Sequence, residues 1–159
     1  MNAELSGVPA RSGRLLVARL LPGADLVPAL TAFCAETGVR AGAVLTLVGS
    51  LRQATYLYVV AAPDGPNGMA YTDPTVLPGP VELITGQGTI GCSEAGGVVL
   101  HLHGAFCDSS RQVHGGHLAP AGNIVAATVE AVILEAEGLS LTRRYDTETG
   151  FPLFFPARA

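Results

Sequence analysis

The sequence predicts a β-rich domain of the α+β class with one main helix. Helical spacing of apolar residues is confined to one segment, between Asp25 and Gly38, whereas β-branched and aromatic runs separated by turn residues fill most of the chain from Ala41 to Tyr145. The length of 159 residues suits a single domain that can bury a core without disulfide or metal staples.

Residues 1–12 read as a flexible leader, and Gly13 to Leu21 as a first strand ending at the turn Pro22-Gly23. The helix follows. Asp25 is a good N-cap, Leu26, Leu30 and Phe33 recur at helical spacing, Pro28 sits in the first turn where its missing N–H costs nothing, and Gly38 supplies the stop. Ala41–Gly49 and Gln53–Ala61 read as two strands separated by a short turn. Residues 62–80 contain Pro63, Pro66, Pro74, Pro78 and Pro80 and read as a long irregular loop, a lid or a spacer at a subunit contact. Strand character resumes at Val81–Ile90, turns at Gly96-Gly97, continues through Val98–Cys107, reverses at Asp108–Arg111 and returns over Gln112–Leu118. Ile124–Glu135 and Leu139–Tyr145 read as a hairpin turning at Glu137-Gly138; the Ala and Glu content of its first arm would suit a helix, but its β-branched residues favour a strand.

Charged residues make up 14% of the chain and hydrophobic ones 48%, more apolar surface than one domain easily hides, so oligomerisation is expected. Net charge is −4, all nine basic residues are arginine, and no basic run appears, so the cationic stripe of a nucleic-acid module is missing. Cys34, Cys92 and Cys107 have no CxxC spacing and read as buried free thiols. Arginines interrupt the apolar residues of the N-terminus and no uncharged run is long enough to span a bilayer, which points to a soluble, cytoplasmic protein with no membrane partner.

The chemical clue is histidine. All four histidines lie between residues 101 and 117, as His101-Leu102-His103 and His114-Gly115-Gly116-His117. Imidazoles separated by one residue project to the same face of a strand, and a third from a neighbouring strand would make a three-histidine metal site. Hairpin register decides the third member. If paired positions sum to an even number, His117 joins His101 and His103; an odd sum selects His114, and a bulge at Gly115-Gly116 would let both lean to one side.

These blocks resemble the plants-and-prokaryotes-conserved (PPC) domain family. The resemblance runs through Gly23-Ala24-Asp25-Leu26, Ala41-Gly42, Val48-Gly49-Ser50-Leu51, Gly79-Pro80-Val81-Glu82-Leu83, Gly88-Thr89-Ile90, His101-Leu102-His103, Gly115-Gly116-His117-Leu118 and Arg144-Tyr145-Asp146. It implies a mostly antiparallel sheet with the helix packed on it, one compact domain over residues 13–156, and assembly as a homotrimer. It also implies His117 as the third ligand beside His101 and His103, and leaves His114 aside. Acetolactate decarboxylase is similar in fold and also holds a metal through a His-x-His pair plus a later histidine, so metal-assisted chemistry is conceivable by analogy. In plants the domain accompanies an AT-hook, the source of the family's DNA-binding label. The nearest string here, Arg11-Ser12-Gly13-Arg14, lacks the Gly-Arg-Pro core.

Each feature has a bland alternative. His101 and His103 would serve equally as strand residues hydrogen-bonded at a polar subunit contact, but four clustered histidines shift the balance towards a divalent metal, zinc first. His114 reads as an outer support or solvent group rather than a ligand. Glu82 and Glu130 lie in strands, where a salt bridge to Arg40, Arg52 or Arg143 is expected ahead of proton transfer. Gly86-Gln87-Gly88 lies inside a strand pattern and reads as close packing, not a phosphate loop. Arg143 and Arg144 read as a solvated strand end, and Cys107 as an inert thiol. Three function classes follow: a trimeric regulatory module tied to DNA through the family alone, a metal-dependent enzyme with an open coordination position, and a small-molecule or metal sensor. Three ligands favour an open position, while no catalytic acid or base has a motif context.

Overall fold

A computed structural model describes residues 5–159. Strand β1 (Arg11–Leu20) leads into helix α1 (Leu26–Thr37), followed by β2 (Gly42–Leu57), β3 (Val59–Ala61), β4 (Met69–Tyr71), β5 (Thr75–Ser93), β6 (Val98–Cys107), β7 (Val113–Leu118), β8 (Ile124–Glu137), β9 (Leu139–Tyr145) and β10 (Pro152–Arg158). Eight strands form one sheet in the order β1-β8-β2-β7-β6-β5-β9-β10, and β5 also pairs back on β2, so that β2, β7, β6 and β5 close on one another. Among the described residues the only parallel ladder is β5 with β9, at Cys92↔Thr142 and Ser93↔Arg143. Strands β3 and β4 make a separate two-stranded ribbon.

The helix starts and stops where its sequence signals lie, but Asp25 works differently from expectation. It occupies the N-cap position without capping a helical N–H. Its carboxylate instead accepts hydrogen bonds from the backbone N–H of Gly122 (2.7 Å) and Asn123 (3.1 Å), tying the helix start to the loop before β8. Asn123, fully buried, extends that tie: its Oδ1 accepts from Thr55 N at 2.9 Å and its Nδ2 donates to the Ala119 carbonyl at 3.0 Å. At the other end Gly38 takes the left-handed conformation (φ 75°), and Val39 N–H reaches back to the Cys34 carbonyl at 2.8 Å, closing a Schellman-type stop. Leu26, Leu30 and Cys34 on one helix face are buried against a core that includes Leu47, Leu102, Phe106, Val129 and Ile133. Burial pushes the Cys34 thiol up to about 11.

Several sequence expectations are corrected. The leader expected over residues 1–12 begins in residues 1–4, outside those described, and Arg11 and Ser12 already belong to β1. The two strands expected over 41–61 are mainly one long strand, β2, which absorbs the supposed turn as register shifts around Gly49 to Gln53. The proline-rich loop ends at Thr75. Pro78 and Pro80 lie inside β5, opposite the β2 bulge between Leu51 and Gln53, where the ladder is already interrupted and a missing N–H costs little. The hairpin expected between 124–135 and 139–145 does not form: both edges of β8 are taken by β1 and β2, so the chain turns at Gly138 and β9 pairs with β5 and β10. Strand β10 has no counterpart in the sequence reading.

Candidate metal centre

The β6–β7 hairpin decides which histidines meet. Its register runs unbroken from Cys107↔Val113 to His103↔His117, with no bulge at Gly115-Gly116. Paired positions sum to an even number, so His117 stands directly across from His103, and His101 lies two residues along β6 on the same face. Glycine permits the tight fit behind them: a Cβ on Gly88 of β5 would run into the His101 carbonyl, so close packing is the role of that glycine.

The three rings form a triangle. Their centroids are 5.1 Å apart for His101–His103, 4.8 Å for His101–His117 and 5.4 Å for His103–His117. The Nε2 atoms of His101 and His103 are 3.1 Å apart, and one nitrogen from each of the three rings lies within 4.8 Å of the others. Two imidazoles on a tetrahedral zinc ion stand about 3.3 Å apart, as zinc–nitrogen bonds of about 2.0–2.1 Å require, so the closest pair is already near that spacing. The Nδ1 atom of His117 is buried and, among the described residues, has no hydrogen-bond partner. An orphaned buried nitrogen within a cluster of imidazole donors is an arrangement a divalent cation would satisfy.

The surroundings of His101 and His117 favour the neutral imidazole, as ligation requires. Burial, then the charges of His101, His103 and Arg143, push the His117 imidazole down to about 4. Burial, His103 and Arg143 lower His101 in the same direction. The ring of Tyr71, on β4, lies against His117 at 5.6 Å and is held edge-on by Phe151 at 5.2 Å.

His114 occupies the other face of the hairpin, opposite Phe106. Its Nε2–H donates to Asp108 Oδ2 at 2.8 Å, leaving Nδ1 facing the Tyr56 hydroxyl at 3.5 Å. Asp108 Oδ1 accepts from the N–H of Ser110 (2.8 Å) and Gln112 (2.9 Å), and the His114 hydrogen bond, followed by that of Gln112, holds its carboxyl below the usual range. His114 therefore braces the turn that sets the hairpin's register.

Glu82 and Glu130 are solvent-exposed and neither forms the expected ion pair with an arginine among the described residues; facing water, they need none. Arg19, across from Glu130, donates to Thr128 Oγ1 instead. Cys92 and Cys107 are half-buried rather than buried. Arg144 is exposed over the Phe155 ring, but Arg143 is not the solvated strand end expected: it is half-buried, donates to the carbonyls of Leu100 and Pro152, both at 3.3 Å, and lies over Phe154. Tyr71, Phe151 and Arg143 come from elements far from the histidines in sequence, so no local pattern marks them. No helix among the described residues is long and apolar enough to cross a membrane.

The fold is shared with solved proteins. A metal-containing protein from Archaeoglobus fulgidus superposes with a TM-score of 0.81 at 23% identity, covering 95% of this chain and 99% of that one. A protein from Bacteroides thetaiotaomicron, named as a candidate DNA-binding protein, superposes with a TM-score of 0.73 at 24% identity, covering 91% and 96%. A curated relative, the bifunctional protein GlmU of Synechococcus sp. (strain JA-3-3Ab), is 32% identical over 144 residues; the match takes in 91% of this chain but only 21% of that protein's length. Residues 8–137 match the Plants and Prokaryotes Conserved (PCC) domain, so the chain belongs to that family.

Proposed function

We propose that the protein is a homotrimeric, metal-centred small-molecule site, in which His101, His103 and His117 hold a divalent ion, zinc by the character of the donors. The observation that carries this is the convergence of three imidazoles, two of them lowered by burial and one of these with an orphaned buried nitrogen. A structural neighbour's name as a metal-containing protein supports it. Three protein ligands leave a coordination position for another molecule, where a bound ion would supply Lewis-acid polarisation of an oxygen donor. The chain's own contribution is to hold the three rings through the β6–β7 register, screen His117 with Tyr71, and keep the turn fixed through His114 and Asp108. The test is elemental analysis: the purified protein is expected to carry close to one divalent ion per chain, and the double substitution His101→Ala/His103→Ala to reduce this to near zero. Full occupancy in the double variant would overturn the reading.

Self-association is supported by the outer sheet face. Leu15 and Val17 of β1, Val48 of β2 and Ile84 of β5 are 62%, 71%, 40% and 47% exposed, with β8 between β1 and β2, and exposed apolar side chains of this size are what subunits cover. Light scattering is expected to give three times the 16.2 kDa chain mass, and Val17→Glu to lower it towards one. Three free cysteines suit a reducing compartment, so we place the protein in the cytoplasm. The Bacteroides neighbour's name raises a DNA role, but a net charge of −4 without a basic cluster in the sequence weighs against direct binding.

A further inference from the structure

Beside the histidine cluster, a groove of about 580 Å³ opens between α1 and β6, within the range of small-molecule sites. Its walls are apolar, with Val27 and Ala35 from the helix and Val98, Leu100 and Leu102 from the strand, while His117 and Arg143 also line it. We infer that this groove receives a small organic carboxylate, its apolar body between α1 and β6 and its carboxylate between the Arg143 guanidinium and the three-histidine centre. The inference rests on the metal reading for the position of the carboxylate's second contact, but not for the role of Arg143 or of the groove.

Charge carries the argument. The Arg143 guanidinium and the His117 ring line the same groove, so a cation on the histidines and the arginine would face one bound molecule. No carboxylate forms an ion pair with Arg143 among the described residues, although it is half-buried. Its Nε–H and one Nη1 hydrogen go to backbone carbonyls, which fix the guanidinium in place, leave Nη2 and the second Nη1 hydrogen for a ligand, and leave the charge uncompensated. Three neutral imidazoles would add nothing to cancel the charge of a divalent ion, so ion and arginine together present about three positive charges at the end of an apolar groove. A half-buried cluster of that sign favours an anion, and the remaining Nη1 and Nη2 hydrogens of Arg143 can meet a carboxylate's two oxygens. The apolar walls then select for a hydrocarbon body over a polar one.

The experiment is calorimetric titration of the purified protein, with and without metal, using acetate, butyrate, hexanoate, 1-hexanol and hexanamide. Hexanoate is expected to bind at least tenfold more tightly than the uncharged six-carbon probes, with affinity rising about two- to fourfold per methylene along the carboxylate series. Arg143→Gln should weaken hexanoate about tenfold or more at unchanged metal content. Because Arg143 also braces β6 and β10, Ala35→Phe, at an exposed helix position, gives an independent check: it should weaken hexanoate while sparing acetate. Equal binding of hexanol and hexanoate, no dependence on chain length, or hexanoate affinity untouched by both variants would overturn the proposal. A wild-type protein that takes up no divalent ion yet keeps its carboxylate selectivity would overturn the metal reading and leave the groove assignment standing.

Discussion

The two faces of the β6–β7 hairpin use the same residue type for opposite ends. On one face His101, His103 and His117 crowd together with a buried nitrogen left unpaired. On the other, three residues from His117, His114 is satisfied by Asp108 and Tyr56 and packs behind Phe106. The first face gives up local hydrogen bonding and gains a place for a ligand; the second gains stability and offers no open donor. Chemistry on this hairpin is thus assigned by strand parity, through the neighbours each face meets, and not by the identity of the side chain.

The sharpest way to break that contrast is to damage each face in turn. His117→Ala should remove most of the bound metal while shifting the urea midpoint of the metal-free protein little. Leu102→Ala, which empties a buried core position between two of the histidines, should cost about 2–4 kcal/mol in urea unfolding and keep metal content near wild type. If both variants lose metal equally, the faces are not separable. A smaller effect should come from the brace: His114→Ala is expected to cost about 1 kcal/mol while retaining metal.

The smallest effect is a pH slope. The Asp108 carboxyl is lowered in the folded protein, so from its ordinary value near 3.8 downwards the folded chain binds fewer protons than the unfolded one. Its contribution is therefore complete above that value and is lost as pH falls through the lower folded one. Urea midpoints measured from pH 5 to pH 2.5 should fall less steeply in Asp108→Asn than in the wild type.

Much of the hairpin was legible in sequence because a strand's period of two places residues 101 and 103 on one face whatever the rest of the fold does. The third member was not. Residues 114 and 117 have opposite parity, and only the register, or the family resemblance that implied it, chooses between them. The helix was readable because Asp25, Pro28 and Gly38 are local signals, yet the partners of Asp25 lie nearly a hundred residues away. Leu139–Tyr145 reads as a strand from its sequence, but its neighbour does not, since nothing in it records that both edges of β8 are occupied. Prolines concealed two strand segments: Pro78 and Pro80 masked the start of β5, and Pro152 and Pro156 bracket the Phe154-Phe155 pair of β10. Arg143 and Tyr71 reach the site from β9 and β4, and no spacing rule links them to the histidines.

The pairing of β1 with β8, Arg11 opposite Glu137, joins residues more than a hundred positions apart. On a ribosome adding roughly 5–20 residues per second, the first strand emerges on the order of ten seconds before its partner is made. For that interval Leu15, Leu16 and Val17 lack their native ladder, and the charges of Arg11, Arg14 and Arg19 spaced through the strand oppose its premature aggregation.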